Sequence, residues 1–159
     1  MIRSATANDI AVICQLIRDL AEYERLSHEV VVEESRLREH LFGARPYAHV
    51  LLIEEAGEVA GFAFYFYTYS TFLGRPGIYL EDLFVRPAFR GKGHGKALLL
   101  RLARIATEEG CGRVEWAVLN WNEPAIKFYQ SLEAKPMTEW TVYRLAGPSL
   151  EARASEAAK

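Results

Sequence analysis

The residue types best suited to chemistry gather in Arg90-Gly91-Lys92-Gly93-His94-Gly95, between a strand-like stretch and a helix-like one. Three glycines in five residues let a backbone take positive φ and approach a ligand closely. The start of the following helix presents N–H groups and the positive end of a dipole. Arg90 and Lys92 add charge. A phosphate or pyrophosphate fits such a cradle best. Two familiar phosphate loops do not match. A Walker A loop ends Gly-Lys-Ser/Thr; here Gly95-Lys96 is followed by Ala97, and Arg90 stands where the first glycine belongs. A dinucleotide fingerprint is spaced G-x-G-x-x-G in a first βα turn, whereas this run is G-x-G-x-G and falls past mid-chain. A glycine-rich turn that merely starts a helix is the alternative this stretch leaves open. Cys14 and Cys111 stand alone and read as reduced core thiols, not as nucleophiles. No cluster with metal-ligand spacing is visible, so no metal is expected.

The elements that must position this loop follow from periodicity. Ile2–Ser4 reads as a short strand, and Thr6 or Asn8 as a helix cap. Ile10, Ile13, Ile17, Leu20 and Ala21 recur at helical spacing, which carries a helix to about Glu24. A second helix is expected over Glu33–Phe42, ended by Gly43. Val50–Glu54 and Val59–Tyr69 read as strands joined by the turn Glu55-Ala56-Gly57-Glu58. Ser70–Gly77 reads as a loop and Ile78–Val85 as the next strand. A helix from about Gly93 to Glu109 buries Leu98, Leu102 and Ile105, with Gly110 closing it. Arg113–Leu119 is strand-like, Pro124 opens a short helix to about Leu132, and Met137–Leu145 is expected as a last strand. Ser149–Lys159 reads as a frayed helix or a disordered tail. The order β-α-α-β-β-β-α-β-α-β describes a single mixed α/β domain over 1–147 with a tail over 148–159.

Composition sets the bounds. At 159 residues, half hydrophobic and a quarter charged, the chain is of ordinary one-domain make-up. A net charge of -2 does not suggest a general nucleic-acid-binding face. The first residues lack the apolar core of a secretory signal, and no apolar run approaches the ~20 residues of a membrane span. The longest candidate, Ala60–Tyr69, is too short and too aromatic.

The spacing R-x-x-G-x-G after a strand resembles the pyrophosphate loop of the GNAT superfamily of acetyl-CoA-dependent N-acetyltransferases. About 40 residues later that superfamily has an Asn-x-x-Ala-x-x-aromatic-Tyr helix, here Asn122-Glu123-Pro124-Ala125-Ile126-Lys127-Phe128-Tyr129. Leu20-Ala21-Glu22-Tyr23-Glu24, Tyr65-Phe66-Tyr67-Thr68-Tyr69, Tyr79-Leu80-Glu81-Asp82 and Trp121-Asn122-Glu123-Pro124 resemble the diamine branch more narrowly. That branch holds the spermidine/spermine and thialysine N-acetyltransferases. The resemblance implies a mostly antiparallel sheet flanked by helices and splayed at the acetyl-CoA site. It also implies a cytoplasmic homodimer, with a small-molecule amine as partner rather than nucleic acid or membrane.

Roles carried over by the resemblance fall on individual residues. Tyr129 matches the acid that protonates the leaving thiolate. Packing of Phe128 and Tyr129 on a short helix is the plain alternative. Leu83, Phe84 and Val85 match backbone that pairs with the pantetheine arm as an added strand would. Arg90, Gly91, Lys92, Gly93, His94, Gly95 and Lys96 match the pyrophosphate cradle. Asn122, Glu123, Pro124 and Ala125 match the far side of the cofactor. Glu81 matches an acceptor-side carboxylate that takes the amine proton or orders a water. Its neighbour Asp82 would face the opposite way in a regular strand, so both serve one site only if a bulge intervenes. Tyr23 and Glu24 match residues that meet the distal end of the amine, and Glu115, Trp116 and Ala117 a further acceptor-side strand.

Two departures stand out. The polyamine enzymes end the aromatic strand Tyr-Asp-Pro-Trp, where this chain has Tyr69-Ser70-Thr71-Phe72. Losing an acid and a Trp points to a shorter amine. The family's Leu-Gly-Ala turn is here Leu132-Glu133-Ala134. A Glu held at positive φ costs about 1 kcal/mol, so either the turn differs or the strain is borne. Rival readings are acetylation of a protein amino group or an aminoglycoside, and an acetyl-CoA-binding regulatory module without turnover.

Overall fold

The structure, a computed structural model, describes residues 1–157. Its elements run β1 (Ile2–Ser4), α1 (Ile10–Tyr23), α2 (Glu34–Phe42), β2 (His49–Glu55), β3 (Glu58–Ser70), β4 (Arg75–Val85), α3 (His94–Glu108), β5 (Val114–Trp116), α4 (Glu123–Gln130) and α5 (Gly147–Glu156). They form two compact units, one of residues 1–117 and one beginning at Val118.

The first unit is a five-stranded sheet in the order β1-β2-β3-β4-β5. The first four strands are antiparallel and β5 lies parallel to β4. This is the mixed, mostly antiparallel sheet with helices that the resemblance implied. Thr6 and Asp9 cap the entry to α1 through the Thr6 N–H and hydroxyl, both donated to the Asp9 carboxylate at 2.7 and 2.9 Å. The apolar face of α1 then buries Ile10, Ile13, Cys14, Leu16 and Leu20 in one cluster with Leu37 and Leu41 of α2 and Val50, Leu52, Phe62 and Phe84 of the sheet. Strand β2 is buried on both faces, since Leu51 and Ile53 are covered as fully as Val50 and Leu52. Helix α3 packs on β3 and β4 and buries the expected Leu98, Leu102 and Ile105.

Boundaries differ from the sequence reading in three places. Strand β4 begins at Arg75, not Ile78, so only Thr71–Gly74 turn between β3 and β4. Pro76 is tolerated inside it because its carbonyl accepts from the Gly112 N–H at 2.8 Å, on the β5 side. A residue's N and O point to one edge, so the missing donor faces a stretch where the β5 ladder has not started. Strand β5 is three residues long rather than seven, because it pairs with β4 only over Ile78–Leu80. The expected strand Met137–Leu145 does not form. The segment makes no ladder pairing among the described residues, a turn donates the Trp140 N–H to the Met137 carbonyl, and Met137, Trp140, Val142, Tyr143 and Leu145 are exposed. Alternating apolar residues fix a strand only where another strand takes the backbone groups.

In the second unit, Asn122 caps α4 by accepting from the Ala125 N–H at 3.3 Å. The tail is helical as α5, with an exposed surface throughout; its final residues, 158 and 159, lie outside the described residues.

Candidate active site

Strand β4 outruns its neighbour. Its parallel pairing ends at Leu80 opposite Trp116, while its pairing with β3 continues to Val85. Beyond Leu80 the edge facing β5 carries no ladder among the described residues. The parting point coincides with a register shift: Tyr65 pairs with Leu80 and Phe64 with Asp82, which leaves Glu81 as the extra residue of a bulge. A bulge of this kind interrupts the strict alternation of Glu81 and Asp82 along β4. Glu81 is exposed, and Asp82 is half-buried.

Two carboxylates act on a third here. Burial, then Glu81, then Glu24 push the Asp82 carboxyl up to about 7. Burial also raises Glu24 above its usual carboxylate range. Glu24 is held by the C-terminus of α1, where the Arg25 N–H meets the Glu22 carbonyl at 3.1 Å and the Leu26 N–H meets the Ala21 carbonyl at 2.8 Å. Arg25 takes φ 61° to close that cap. Asp19 of α1 accepts from Arg86 at 3.3 Å, and Arg86 also donates to the Val59 carbonyl at 3.0 Å, which ties the helix to the sheet just past β4.

Tyr23 completes the group. Its ring lies 6.5 Å from that of Phe84, and the Arg90 guanidinium sits 4.6 Å from the Tyr23 centroid and 5.5 Å from the Phe84 centroid. Arg90 also donates to the Val85 carbonyl at 2.9 Å. So the protein itself supplies a cation over Tyr23, and Val85 has its carbonyl engaged. The sheet holds this region tightly at Gly61, where a Cβ would stand 2.4 Å from the Phe84 carbonyl oxygen.

The glycine loop has the conformation its residues suggested. Gly91 and Gly93 adopt φ 77° and 81°, and a Cβ at either would point into open space. Gly93 caps α3, accepting from the Ala97 N–H at 2.9 Å. His94, Gly95 and Lys96 make the first turn. Lys92 and His94 both pair with the carboxylate of Glu55, the last residue of β2.

The remaining expected residues are placed as follows. Glu115 pairs with Arg113 at 2.8 Å, Trp116 is half-buried opposite Leu80, and Ala117 is exposed. Leu83 is half-buried and Phe84 buried. Asn122 is buried; Glu123 and Pro124 are exposed, and Ala125 is half-buried in α4. Tyr129 is half-buried one turn further on, its ring 5.3 Å from Phe128. Glu133 follows at φ 61°, with the Ala134 N–H donating to the Tyr129 carbonyl at 3.2 Å. The turn keeps its left-handed form and the Glu bears the strain. Ser70 accepts from the Leu73 N–H at 3.2 Å and so closes the β3–β4 turn, while Phe72 is 98% exposed.

Residues 14–133 match the acetyltransferase (GNAT) family. The chain belongs to that family. It is 40% identical over 161 residues to a thialysine N-epsilon-acetyltransferase of Bos taurus, covering 94% of each chain. It is 35% identical over 196 residues to an L-ornithine N5-acetyltransferase of Arabidopsis thaliana, covering 95% of this chain and 86% of the relative. A solved integron cassette protein from the mobile metagenome of V. cholerae superposes with a TM-score of 0.82 at 28% identity, over 97% and 96% of the two chains.

The family uses acetyl-CoA, and two features of this N-acetyltransferase suit it. The β4 edge beyond Leu80 offers backbone for an extended arm, and the open loop at Gly91 and Gly93 offers room for a phosphate. Among the described residues no group of three or more His, Cys, Asp and Glu could hold a metal, and no helix is long and apolar enough to cross a membrane. Sequence reasoning missed Arg86 and Glu55. An Arg directly after a strand and beside Pro87 is a weak signal for the first. Nothing local signals Glu55, which stands 37 residues from Lys92 in sequence.

Proposed function

We propose that this acetyltransferase moves the acetyl group of acetyl-CoA to a primary amine of a small amino acid of the thialysine or ornithine kind, or of a short diamine. The observation that carries it is the carboxylate group Glu24, Glu81 and Asp82 at the point where β5 leaves β4. Relatives over nearly the whole chain are a thialysine and an ornithine acetyltransferase. Such substrates bring at least one ammonium besides the reacting amine, and carboxylates meet it. Ser70 and Phe72, in place of an acid and a Trp, favour the short end of the range over spermidine and spermine. Acetylation of a protein amino group or an aminoglycoside, and binding without turnover, have no observation in their favour.

In this reading the amine arrives protonated and first gives up a proton. By resemblance Glu81 takes that proton or orders a water. Asp82 suits the task better, because a base poised near 7 is both ionised often enough and basic enough to work at neutral pH. Glu81 then orders water and attracts the cation. The free amine nitrogen attacks the thioester carbonyl, the C–N bond forms, the C–S bond breaks, and the sulfur takes a proton from the Tyr129 hydroxyl; the nitrogen sheds its extra proton as it becomes the amide, and a proton returned through solvent restores the Tyr129 phenol. Tyr23, with Glu24, Glu115, Trp116 and Ala117, bounds the acceptor. Leu83 and Phe84 pair with the pantetheine arm. Gly91–Lys96 cradle the pyrophosphate, Arg90 braces Tyr23 and the end of β4, and Asn122, Glu123, Pro124 and Ala125 shape the cofactor's other side. We take 1–147 as the acetyltransferase domain and 148 onward as its tail; the family match across residues 14–133 supports this. A homodimer is in keeping with the exposed apolar run Met137–Leu145, and a cytoplasmic setting with two free cysteines.

The test is release of CoA thiol from acetyl-CoA against thialysine, ornithine, lysine, putrescine, spermidine, a basic peptide and an aminoglycoside. Preference for thialysine, ornithine or putrescine is the expected result. Preference for the peptide or the aminoglycoside would overturn the substrate class and keep the family.

A further inference from the structure

The glycine loop already holds an anion, supplied by the protein. Glu55 closes β2 immediately before the turn Ala56-Gly57, whose residues take φ 52° and 84°. Its two carboxylate oxygens pair separately, one with Lys92 Nζ and the other with His94 Nε2. Lys92 stands between the two positive-φ glycines and His94 is the first residue of α3. The side chains of Glu55 and His94 are 32% and 16% exposed, so the carboxylate is set into the loop's flank rather than waving over it. The nearby Arg90 does not take its place, being stacked on Tyr23 and bonded to Val85.

We propose that Glu55 is an affinity-determining residue for acetyl-CoA, an internal competitor that occupies the cations of the glycine loop in the free enzyme and yields Lys92 when the pyrophosphate arrives. This rests on reading the loop as the phosphate site. The consequence follows from charge alone. A diphosphate entering the loop meets Lys92 already neutralised and a carboxylate of its own sign beside it. Binding therefore includes the cost of parting Glu55 from Lys92, and departure of CoA is helped when the carboxylate returns. The device weakens cosubstrate and product together, which favours turnover over tight product retention.

The experiment compares Glu55→Gln, Lys92→Ala and the double variant by KM for acetyl-CoA, inhibition constant for CoA and KM for the amine. Thermal melting checks each fold. Glu55→Gln keeps the size and hydrogen-bonding reach of the side chain and removes only its charge. The expected result is a roughly three- to tenfold fall in both acetyl-CoA KM and CoA inhibition constant, with amine KM unchanged. The gain shrinks as salt is raised from low to physiological ionic strength and above, and shrinks again in the Lys92→Ala background. If Lys92→Ala weakens acetyl-CoA while Glu55→Gln leaves it unchanged or weakens it, the loop is the phosphate site and the competitor role is overturned. If neither variant moves acetyl-CoA, the loop reading and the proposal fall together.

Discussion

The charge relation between Glu81 and Asp82 can be read directly from a pH–rate profile. Asp82 has its carboxyl raised from an ordinary 3.8 to about 7, by burial first, then by Glu81, then by Glu24. That rise corresponds to about 4 kcal/mol against the ionised form in total. Like charges at the ~7 Å typical of near neighbours in a sheet, in an effective dielectric of about 40 beside solvent, repel by about 1 kcal/mol. Replacing Glu81 by Gln should therefore lower the Asp82 value by a little under one pH unit. With Asp82 as proton acceptor, kcat/KM rises with pH as Asp82 ionises, so the acid limb lies near 7 and moves down to about 6–6.5 in Glu81→Gln. Glu24→Gln moves it the same way by less. The substrate's own ammonium contributes a second limb, but that limb is common to all the enzymes compared. Asp82→Asn should abolish the enzyme limb and cost about a hundredfold or more in kcat/KM. A limb that stays in place in Glu81→Gln, or that survives in Asp82→Asn, would refute the assignment and return the acceptor role to Glu81 or to water.

Four further outcomes follow from other groups. Asp82→Asn should raise the melting temperature above pH 7: the raised folded value makes ionisation a cost that is absent below about pH 4 and complete above about pH 7, at most about 4 kcal/mol. Asp9→Asn should lose about 1–2 kcal/mol at neutral pH, since Arg3 grips the carboxylate at 2.8 and 2.9 Å and holds it well below the usual range. That difference should narrow as denaturation is followed below about pH 4, where the carboxyl of the unfolded chain takes up a proton while the folded one still holds its charge. Glu133→Gly should gain about 0.5–1 kcal/mol in denaturant unfolding, because φ 61° suits Gly and strains Glu. Tyr129→Phe should keep acetyl-CoA affinity and lose most turnover; an unchanged rate would remove Tyr129 from the acid's role.

What the sequence made readable was local. The stripes of α1 and α3, the Ala56-Gly57 turn and the cradle at Gly91 and Gly93 depend on neighbours within a few residues, and the structure has them where spacing put them. Strand ends were less readable, because a strand stops where its partner stops. Strand β5 ends at Trp116 although Ala117-Val118-Leu119 continues the pattern, and Met137–Leu145 has the right alternation and no ladder. Pro76 and Gly77 read as loop residues and stand in β4. Propensity at those positions is outweighed by which edge each backbone group faces.

The candidate site shows the same division, with a chemical consequence. The pair Glu81-Asp82 is evident in the sequence, yet strict alternation would assign one carboxylate to each face and give the nearer role to Glu81. The one-residue bulge at Glu81 interrupts that alternation, and burial then separates the two groups by chemistry. Asp82 is covered enough to resist ionisation, while Glu81 stays in water and adds the repulsion that completes the shift. Two identical charges thus acquire different work because one backbone irregularity gives them different dielectric surroundings. The bulge also lies where β5 departs, so the edge that opens β4 and the carboxylate that would take a proton are set at one place along the strand. In a regular β4 the alternation relative to β3 would run unbroken through both acids; the extra residue at Glu81 resets it from Asp82 onward, at the level where β5 leaves.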